Sequence, residues 1–453
     1  MITEPLTGRS PGAVRPPGAG RRRGERAGAA PAGRLVAVDV LRALAVLGMV
    51  WMHFVPTGWL EPTPPGHPWP GVLEWLNGFL DTRARSVFFL LAGVSAGLMT
   101  GGARPFAGTA SRRARGRIAV RAGVLLLLGL GLEQVSGTPN VITAYTGWLL
   151  FLLPWTRVRA RVLFAAAGVF AVAAPVFQIA RANWGQDWGF LPPVGPGAPE
   201  LPQGLAVPAH PGDWPAVFQS YLFNVDTFYA LPLLLAGLAI GRLDLRERAV
   251  RVRMALTGAA ITAGGWAVSW LLLGPLGLGA AVDRFQQALT APPPMPPVPP
   301  LPADGSLPEL PPQPPELPPM PKVPWAQLWA MSEPGPGIAE YSALQTVWMV
   351  GVSLALLGAL LLLADRRGWR RVLWPPAAMG GMALTWYVVQ DVVSGRCLGQ
   401  GPGGLGHAPQ SLVPYALFAV AALAGSVLWR RLWRRGPLEA LVHRATTAAV
   451  PRR

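Results

Sequence analysis

The sequence predicts an all-α integral membrane protein that crosses the bilayer about ten times, with both termini in the cytoplasm. Of its 453 residues, 51% are hydrophobic and 13% are charged, whereas soluble proteins carry roughly a quarter charged residues. Apolar runs of membrane-spanning length recur along the chain. Arginine is concentrated in alternate connections between those runs. Together these observations predict a polytopic bundle without a folded soluble domain.

Ten segments contain the roughly 20 mostly apolar residues that a spanning helix needs. The fourth is the weakest, because it holds Thr143, Tyr145 and Thr146. The seventh contains Gly274 and Pro275, so we expect it to bend or unwind near its outer end. In chain order the predicted helices occupy residues 36–56, 85–103, 118–135, 139–156, 161–180, 217–240, 254–282, 343–364, 372–394 and 411–429.

The placement of arginine sets the predicted orientation. With the N-terminus inside, 32 of the 39 basic residues face the cytoplasm and six face outwards, while Arg42 lies within helix 1. This is the bias of the positive-inside rule. The net charge of +17 is therefore assigned to topology, with anionic membrane lipids rather than nucleic acid as the partner. We expect the protein in the cell (plasma) membrane.

Five regions follow from this map. We expect residues 1–33 to form a disordered, basic cytoplasmic tail, since they are rich in Pro, Gly, Ala and Arg. Residues 34–282 form an N-terminal membrane region with helices 1–7. Residues 283–340 form an extracytoplasmic proline-rich loop, either a spacer or a segment that docks a partner. Residues 341–435 form a C-terminal membrane region with helices 8–10, and residues 436–453 form a cytoplasmic tail.

Helix 1 carries the most informative polar residues. Asp39 and Arg42 are three residues apart, and His53 follows Arg42 after eleven, so all three share one helical face. Arg42 and His53 should lie about 16 Å apart along the axis. One interpretation is a site with an anion anchor at the inner mouth and a base at the outer mouth. The other is an ion pair between Asp39 and Arg42 plus a structural histidine.

Other polar residues fall near the predicted outer side. Asp226 lies in helix 6, and Gln390 and Asp391 lie in helix 9. Either carboxylate could orient His53 as a general base, and either could be a structural hydrogen-bond partner. Arg85, at the outer edge of helix 2, could hold an anionic group of a substrate or extend to the membrane interface.

Two further features concern packing and excluded chemistry. Gly93 and Gly97 form a GxxxG pair in helix 2, which favours close helix packing over chemistry. The sequence has one cysteine, Cys397, and lacks HExxH and P-loop motifs. We therefore expect no metal site and no ATP-driven pump.

Two stretches resemble known families. The run VDVLRALAVLGMVWMHF in helix 1 resembles the heparan-alpha-glucosaminide N-acetyltransferase-like membrane proteins and the related YeiB-like bacterial proteins. The C-terminal part resembles the YeiB-like group through an ALT-Y-Q pattern in a helix and a later GPLE run. An Arg followed by His after eleven residues also resembles membrane acyltransferases that modify cell-surface sugars. Many YeiB-like proteins have Asn where this chain has His53.

The resemblance implies transfer of an acyl group, acetyl in particular, from cytoplasmic acyl-CoA to a glycan or envelope lipid outside. It implies that His53 is the catalytic base or a transient acyl carrier, and that Arg42 and Asp39 serve the donor. Asp226 or Asp391 would orient His53, and Arg85 and Gln390 would bind the acceptor. A secondary transporter with an Asp/His proton relay is the main alternative, followed by a non-catalytic scaffold. Homo-oligomerisation stays open.

Overall fold

The structure is a computed structural model, and all regular secondary structure in its described residues is helical, with no β-strand. The predicted tail over 1–33 and residues 291–320 of the proline-rich loop lie outside the described part. The structure describes residues 35–54, 76, 79–80, 83–136, 141–184, 225–290, 321–331, 342–397 and 412–451.

All ten predicted segments contain helix. The helices described are α1 Val36–Phe54, α2 Arg83–Met99, α3 Gly108–Ser136, α4 Val141–Phe151, α5 Ala160–Trp184, α6 Val225–Gly241, α7 Arg248–Leu273, α8 Gly279–Thr290, α9 Ala343–Ala364, α10 Arg367–Val372, α11 Trp374–Gly380, α12 Ala383–Cys397, α13 Val413–Leu432 and α14 Pro437–Ala449. Short 3₁₀ helices cover Pro154–Arg157 and Trp325–Trp329.

Five of these helices, α1, α5, α7, α9 and α13, are long and apolar enough to cross a membrane. Each coincides with a predicted span. The other five predicted segments hold shorter, interrupted or more polar helices, so a total of ten crossings stays a prediction. The interruption expected in the seventh segment is confirmed, because α7 ends at Leu273 and Gly277 adopts a φ of 74° before α8 begins. The ninth segment is also interrupted, between α11 and α12.

Helix α1 lies at the centre of the bundle. It packs against α2, α9, α11, α12 and α13, and most of its residues are buried. Where α1 meets α11, the two helix backbones are in direct contact at Gly380. A Cβ on Gly380 would clash with the carbonyl group of Asp39 and lie 3.0 Å from the amide nitrogen of Ala43. Small residues therefore fix α1 against the C-terminal helices.

The α2–α6 pair confirms the packing role predicted for the GxxxG motif. A Cβ on Gly93 would lie 2.8 Å from the amide nitrogen of Leu238. The partner helix supplies its own pair, Gly237 and Gly241, and a Cβ on Gly241 would lie 2.7 Å from the carbonyl oxygen of Val94. Such reciprocal contact lets the two backbones touch over more than one turn.

A buried arginine forms hydrogen bonds between α2 and α6 at one end of the pair. Arg242 is 6% exposed and donates to the carbonyl oxygens of Gly97 and Gly102, at 3.1 and 3.0 Å. It also donates to the hydroxyl of Thr100 at 2.6 Å and to the carbonyl of Thr156. Burial lowers the pKa of Arg242 from its ordinary value by desolvation. The contacts join α6, the turn after α2 and the 3₁₀ helix Pro154–Arg157.

The predicted tail over 436–453 contains helix α14, which packs against α3 and α12. The carboxylate of Glu439 accepts from the amide of Thr385 at 3.1 Å and from its hydroxyl at 2.6 Å. Thr385 lies in the first turn of α12, where backbone amides lack helical partners. The ALT and GPLE stretches of the sequence are therefore in direct contact, and their pairing caps α12.

This cap gives a stability prediction. Glu439→Ala is expected to lower the free energy of unfolding by about 1–2 kcal/mol, because it removes a helix cap with charge-assisted hydrogen bonds. Glu247→Ala is the control, since Glu247 is the exposed N-cap of α7 and makes no side-chain capping bond. Chemical unfolding in detergent measures both. In a Thr385→Val background the cost of Glu439→Ala should fall; an unchanged cost would contradict the pairing.

Candidate functional site

The first element of the candidate site is an ionic cluster near the start of α1. Arg42 Nη1 lies 3.1 Å from Asp39 Oδ1, and Arg42 Nη2 donates to the hydroxyl of Ser95 on α2. The Ser95 hydroxyl in turn donates to the carbonyl oxygen of Leu91 at 2.6 Å. Asp39 is 4% exposed, and Arg42 keeps a 29% exposed side chain. The predicted proximity of Asp39 and Arg42 is confirmed, and the cluster is a half-buried cation held in a fixed orientation.

His53 lies at the other end of the same helix. It occupies the last turn of α1, and its side chain is exposed, although its neighbours Trp51 and Phe54 are buried. Phe54 packs edge-on against Phe418 of α13, with ring centroids 5.2 Å apart. Hence the aromatic residues beside His53 fix the helix end, and the imidazole is left accessible.

A polar face on α12 forms the third element. Tyr387, Gln390, Asp391 and Ser394 recur at helical spacing and are all buried. Gln390 is fully buried, and neither atom of its side-chain amide has a hydrogen-bond partner within the described part of the chain. An unsatisfied buried amide costs about 1–3 kcal/mol. Such a group is expected to bind water or a polar ligand.

The packing shows which helix that carries a predicted carboxylate lies against α1. Helix α12, which carries Asp391, packs directly against α1, whereas α6 packs against α2, α4 and α5. Asp226 lies in the first turn of α6, and its side chain is outside the described part. Asp391 is thus the carboxylate on a helix adjacent to that of His53. Arg85 lies in the first turn of α2 and is half-buried.

Sequence analysis did not identify Glu133, which is 1% exposed on α3. Its helix packs against α12, so a second buried carboxylate lies on a neighbour of the Gln390–Asp391 face. The sequence feature that marks Glu133 is its position as a lone acidic residue directly after the apolar run LLLLGLGL. Ser95 was also missed, because a single serine in an apolar helix has no distinctive pattern. The described residues include no group of three or more His, Cys, Asp or Glu side chains that could hold a metal ion.

Comparison with known proteins finds a similarity for the C-terminal part of the chain only. No curated protein matches the sequence, and no solved structure matches it. The model of one protein family matches residues 322–449, a region that runs from the 3₁₀ helix Trp325–Trp329 to α14 and contains Gln390, Asp391 and Glu439. The match supports the resemblance of the C-terminal region to the YeiB-like group. Helix α1 lies outside the matched residues. In this C-terminal region the chain is similar to a family described as a protein of unknown function, DUF418.

Proposed function

We propose that the protein is a membrane-bound acyltransferase. It takes an acyl group, acetyl in the simplest case, from cytoplasmic acyl-CoA and transfers it to a glycan or envelope lipid on the outer side. The supporting observation is that the central helix α1 carries an oriented arginine near one end and an accessible histidine at the other. The resemblance of this helix to the acetyltransferase-like proteins gives that arrangement its chemical meaning.

In this proposal the Arg42 end of α1 binds the donor and the His53 end holds the reaction centre. The planar guanidinium of Arg42 suits the phosphates of the donor, and its bonds to Asp39 and Ser95 hold that plane in place before the donor arrives. At about 1.5 Å per residue, His53 lies roughly 16 Å further along the helix. In acyl-CoA the flexible pantetheine arm likewise separates the thioester from the phosphates. One donor molecule can therefore contact Arg42 with its phosphates and present its thioester near His53.

The reaction needs one base. His53 takes the proton of an acceptor hydroxyl or amine, whose oxygen or nitrogen attacks the thioester carbon. The new acyl bond forms as the carbon–sulfur bond breaks, and the coenzyme thiolate accepts the proton from His53. Asp391 on the adjacent helix orients the imidazole, and Asp226 is the alternative. The buried amide of Gln390, together with Arg85, binds the acceptor.

The arginine-rich end of the bundle is proposed to face the cytoplasm. Reporter domains fused after residue 310 and after α14 are therefore expected to report opposite sides of the membrane. The physical reason is the 32-to-6 distribution of basic residues, since translocating arginine across the bilayer is unfavourable. Reporter activity on the same side for both fusions would refute the ten-helix map, which places three crossings between the two fusion points.

Arg42→Lys tests the donor site. The substitution keeps the charge but loses the planar fork and the geometry shared with Asp39 and Ser95. We expect acyl-CoA binding to weaken roughly tenfold or more, as for the loss of a charge-assisted hydrogen bond. Arg435→Lys, at an exposed position after α13, is the control. Titration of purified protein with acyl-CoA measures both, and equal affinities would remove Arg42 from the donor site.

The activity itself is tested with purified protein in proteoliposomes and radiolabelled acetyl-CoA. Label should appear on extracted envelope material or transiently on the protein. A chain that binds acetyl-CoA but transfers no label to any added envelope fraction would contradict the proposal.

A secondary transporter is the second candidate. Two buried carboxylates, Glu133 and Asp391, lie on the packed helices α3 and α12, and intramembrane carboxylates are typical of proton relays. This function predicts solute uptake that depends on a pH gradient and is lost in Glu133→Gln. Acyl transfer without gradient-dependent uptake would exclude it.

A further inference from the structure

Helix α10, Arg367–Val372, is a short basic helix whose residues are all exposed. The four exposed arginines in or directly before it are Arg366, Arg367, Arg370 and Arg371. Within the described part of the chain, none of their guanidinium groups makes a hydrogen bond or an ion pair. Four positive charges are therefore accessible on a segment of six consecutive residues.

The position of α10 relative to the membrane follows from the two helices beside it. Helices α7 and α9 are both long and apolar enough to cross a membrane. Arg251, in the first turn of α7, forms an ion pair with Asp365, the residue directly after α9, and also donates to the carbonyl oxygen of Leu361 at 3.4 Å. These contacts hold the start of α7 beside the end of α9. Helix α10 begins two residues after Asp365, and therefore lies where the chain leaves the bilayer.

The apolar residues of this segment lie on one side of the helix. At about 100° per residue, Trp369, Val372 and Leu373 share an arc of about 100°, and the four arginines occupy the adjoining arc of about 140°. Leu373 is covered by the protein and is 7% exposed, whereas Trp369 and Val372 are 44% and 63% exposed. An uncovered apolar face beside a basic face is typical of a segment that lies in the headgroup region of a bilayer. Tryptophan is enriched at that level.

Backbone hydrogen bonds join α10 to the helix bundle. The amide of Leu373 donates to the carbonyl oxygen of Trp369 at 2.8 Å, and the amide of Ala377 in α11 donates to the carbonyl oxygen of Leu373 at 3.0 Å. The bonding thus continues from α10 into α11, which is in backbone contact with α1 at Gly380. The arginines are therefore presented from a fixed place on the bundle.

We propose that α10 is a binding site for the headgroups of anionic phospholipids. The guanidinium groups pair with lipid phosphates, and Trp369 and Val372 lie among the ester groups and the upper parts of the acyl chains. A cluster of about four to eight basic residues directly beside a spanning helix is typical of such sites. A soluble phosphate compound would match the arginines but leave Trp369 and Val372 in water. The site does not depend on the proposed acyltransferase activity.

Photo-crosslinking of the full chain in nanodiscs tests the site. A photoreactive amino acid replaces Val372, and the nanodiscs contain equal amounts of phosphatidylglycerol and phosphatidylcholine with identical acyl chains. Mass spectrometry should find phosphatidylglycerol adducts in excess by roughly fivefold or more, as for one or more interfacial arginines. The control places the same amino acid at Leu276, which is 61% exposed in the turn after the other end of α7. This position should label the two lipids equally.

Two double variants separate a local site from the effect of net charge. Arg370→Gln combined with Arg371→Gln should lower the phosphatidylglycerol excess roughly twofold or more. Arg159→Gln combined with Arg161→Gln removes the same charge from exposed positions at the start of α5, and should leave the excess unchanged. Melting temperatures confirm that both variants fold.

Three outcomes would overturn the proposal. One is equal labelling of the two lipids from the α10 position, and another is an equal loss of the excess in both double variants. The third is loss of the excess on addition of acetyl-CoA, or adducts to a polypeptide in place of lipid, because these would assign the arginines to a soluble phosphate compound or to a protein.

Discussion

His53→Ala is expected to reduce acyl transfer by a factor of about 100 or more, the typical cost of removing a general base, while the melting temperature stays nearly unchanged. The imidazole is exposed at the end of α1, so its removal takes little packing from the core. Transfer of labelled acetyl groups and thermal unfolding in detergent are measured on the same preparation. A structural histidine would give the reverse pattern, with lower stability and retained activity.

His53→Asn is the matched variant. It keeps a hydrogen-bonding group at the same place and reproduces the residue found in many YeiB-like proteins, but asparagine cannot take up a proton at neutral pH. A catalytic histidine predicts a stable and inactive Asn variant. Full acyl transfer by His53→Asn would exclude His53 from the mechanism.

Gly237→Ala is expected to cause a large loss of stability for the addition of a single methyl group. The added Cβ would clash with the carbonyl oxygen of Leu90 and lie 2.8 Å from its carbonyl carbon and 3.0 Å from the amide nitrogen of Val94. Both obstacles are backbone, so α2 and α6 must separate. We expect a cost of about 1–3 kcal/mol or more, as for other overpacked sites.

Gly168→Ala on α5 is the control, since a Cβ there meets nothing within 4 Å. In an exposed helical position alanine is favoured over glycine by roughly 0.5–1 kcal/mol. The two variants should therefore shift the melting temperature in opposite directions. Equal melting temperatures would show that the α2–α6 contact is looser than described.

The sequence predicted those features that depend on local periodicity. Apolar length located the five helices that are long enough to cross a membrane, and three-residue spacing placed Asp39 beside Arg42. The GxxxG pair identified the face of α2 that another helix approaches. In each case the information lies within one helix, because 3.6 residues per turn fix which side chains share a face.

Features that depend on a partner far away in the chain could not be predicted. The contact between Thr385 and Glu439 joins two helices 54 residues apart, and neither residue stands out alone. Packing of α12 rather than α6 against α1 favours Asp391 over Asp226, and periodicity has no bearing on that choice. Glu133 was missed because burial of a carboxylate depends on the helix that covers it.

The docking of α14 also has a consequence for biosynthesis. Arg117 of α3 donates to the carbonyl oxygen of Val450 across a sequence separation of 333 residues. At about 5–20 residues per second, a ribosome needs roughly 15–70 s to synthesise the chain between them. Throughout that interval the flank of α3 that α14 later covers has no partner from its own chain. In nascent chains stalled before Pro437, a cysteine introduced on this flank of α3 is therefore expected to react with cysteine-directed labels, and this accessibility should end once α14 has emerged.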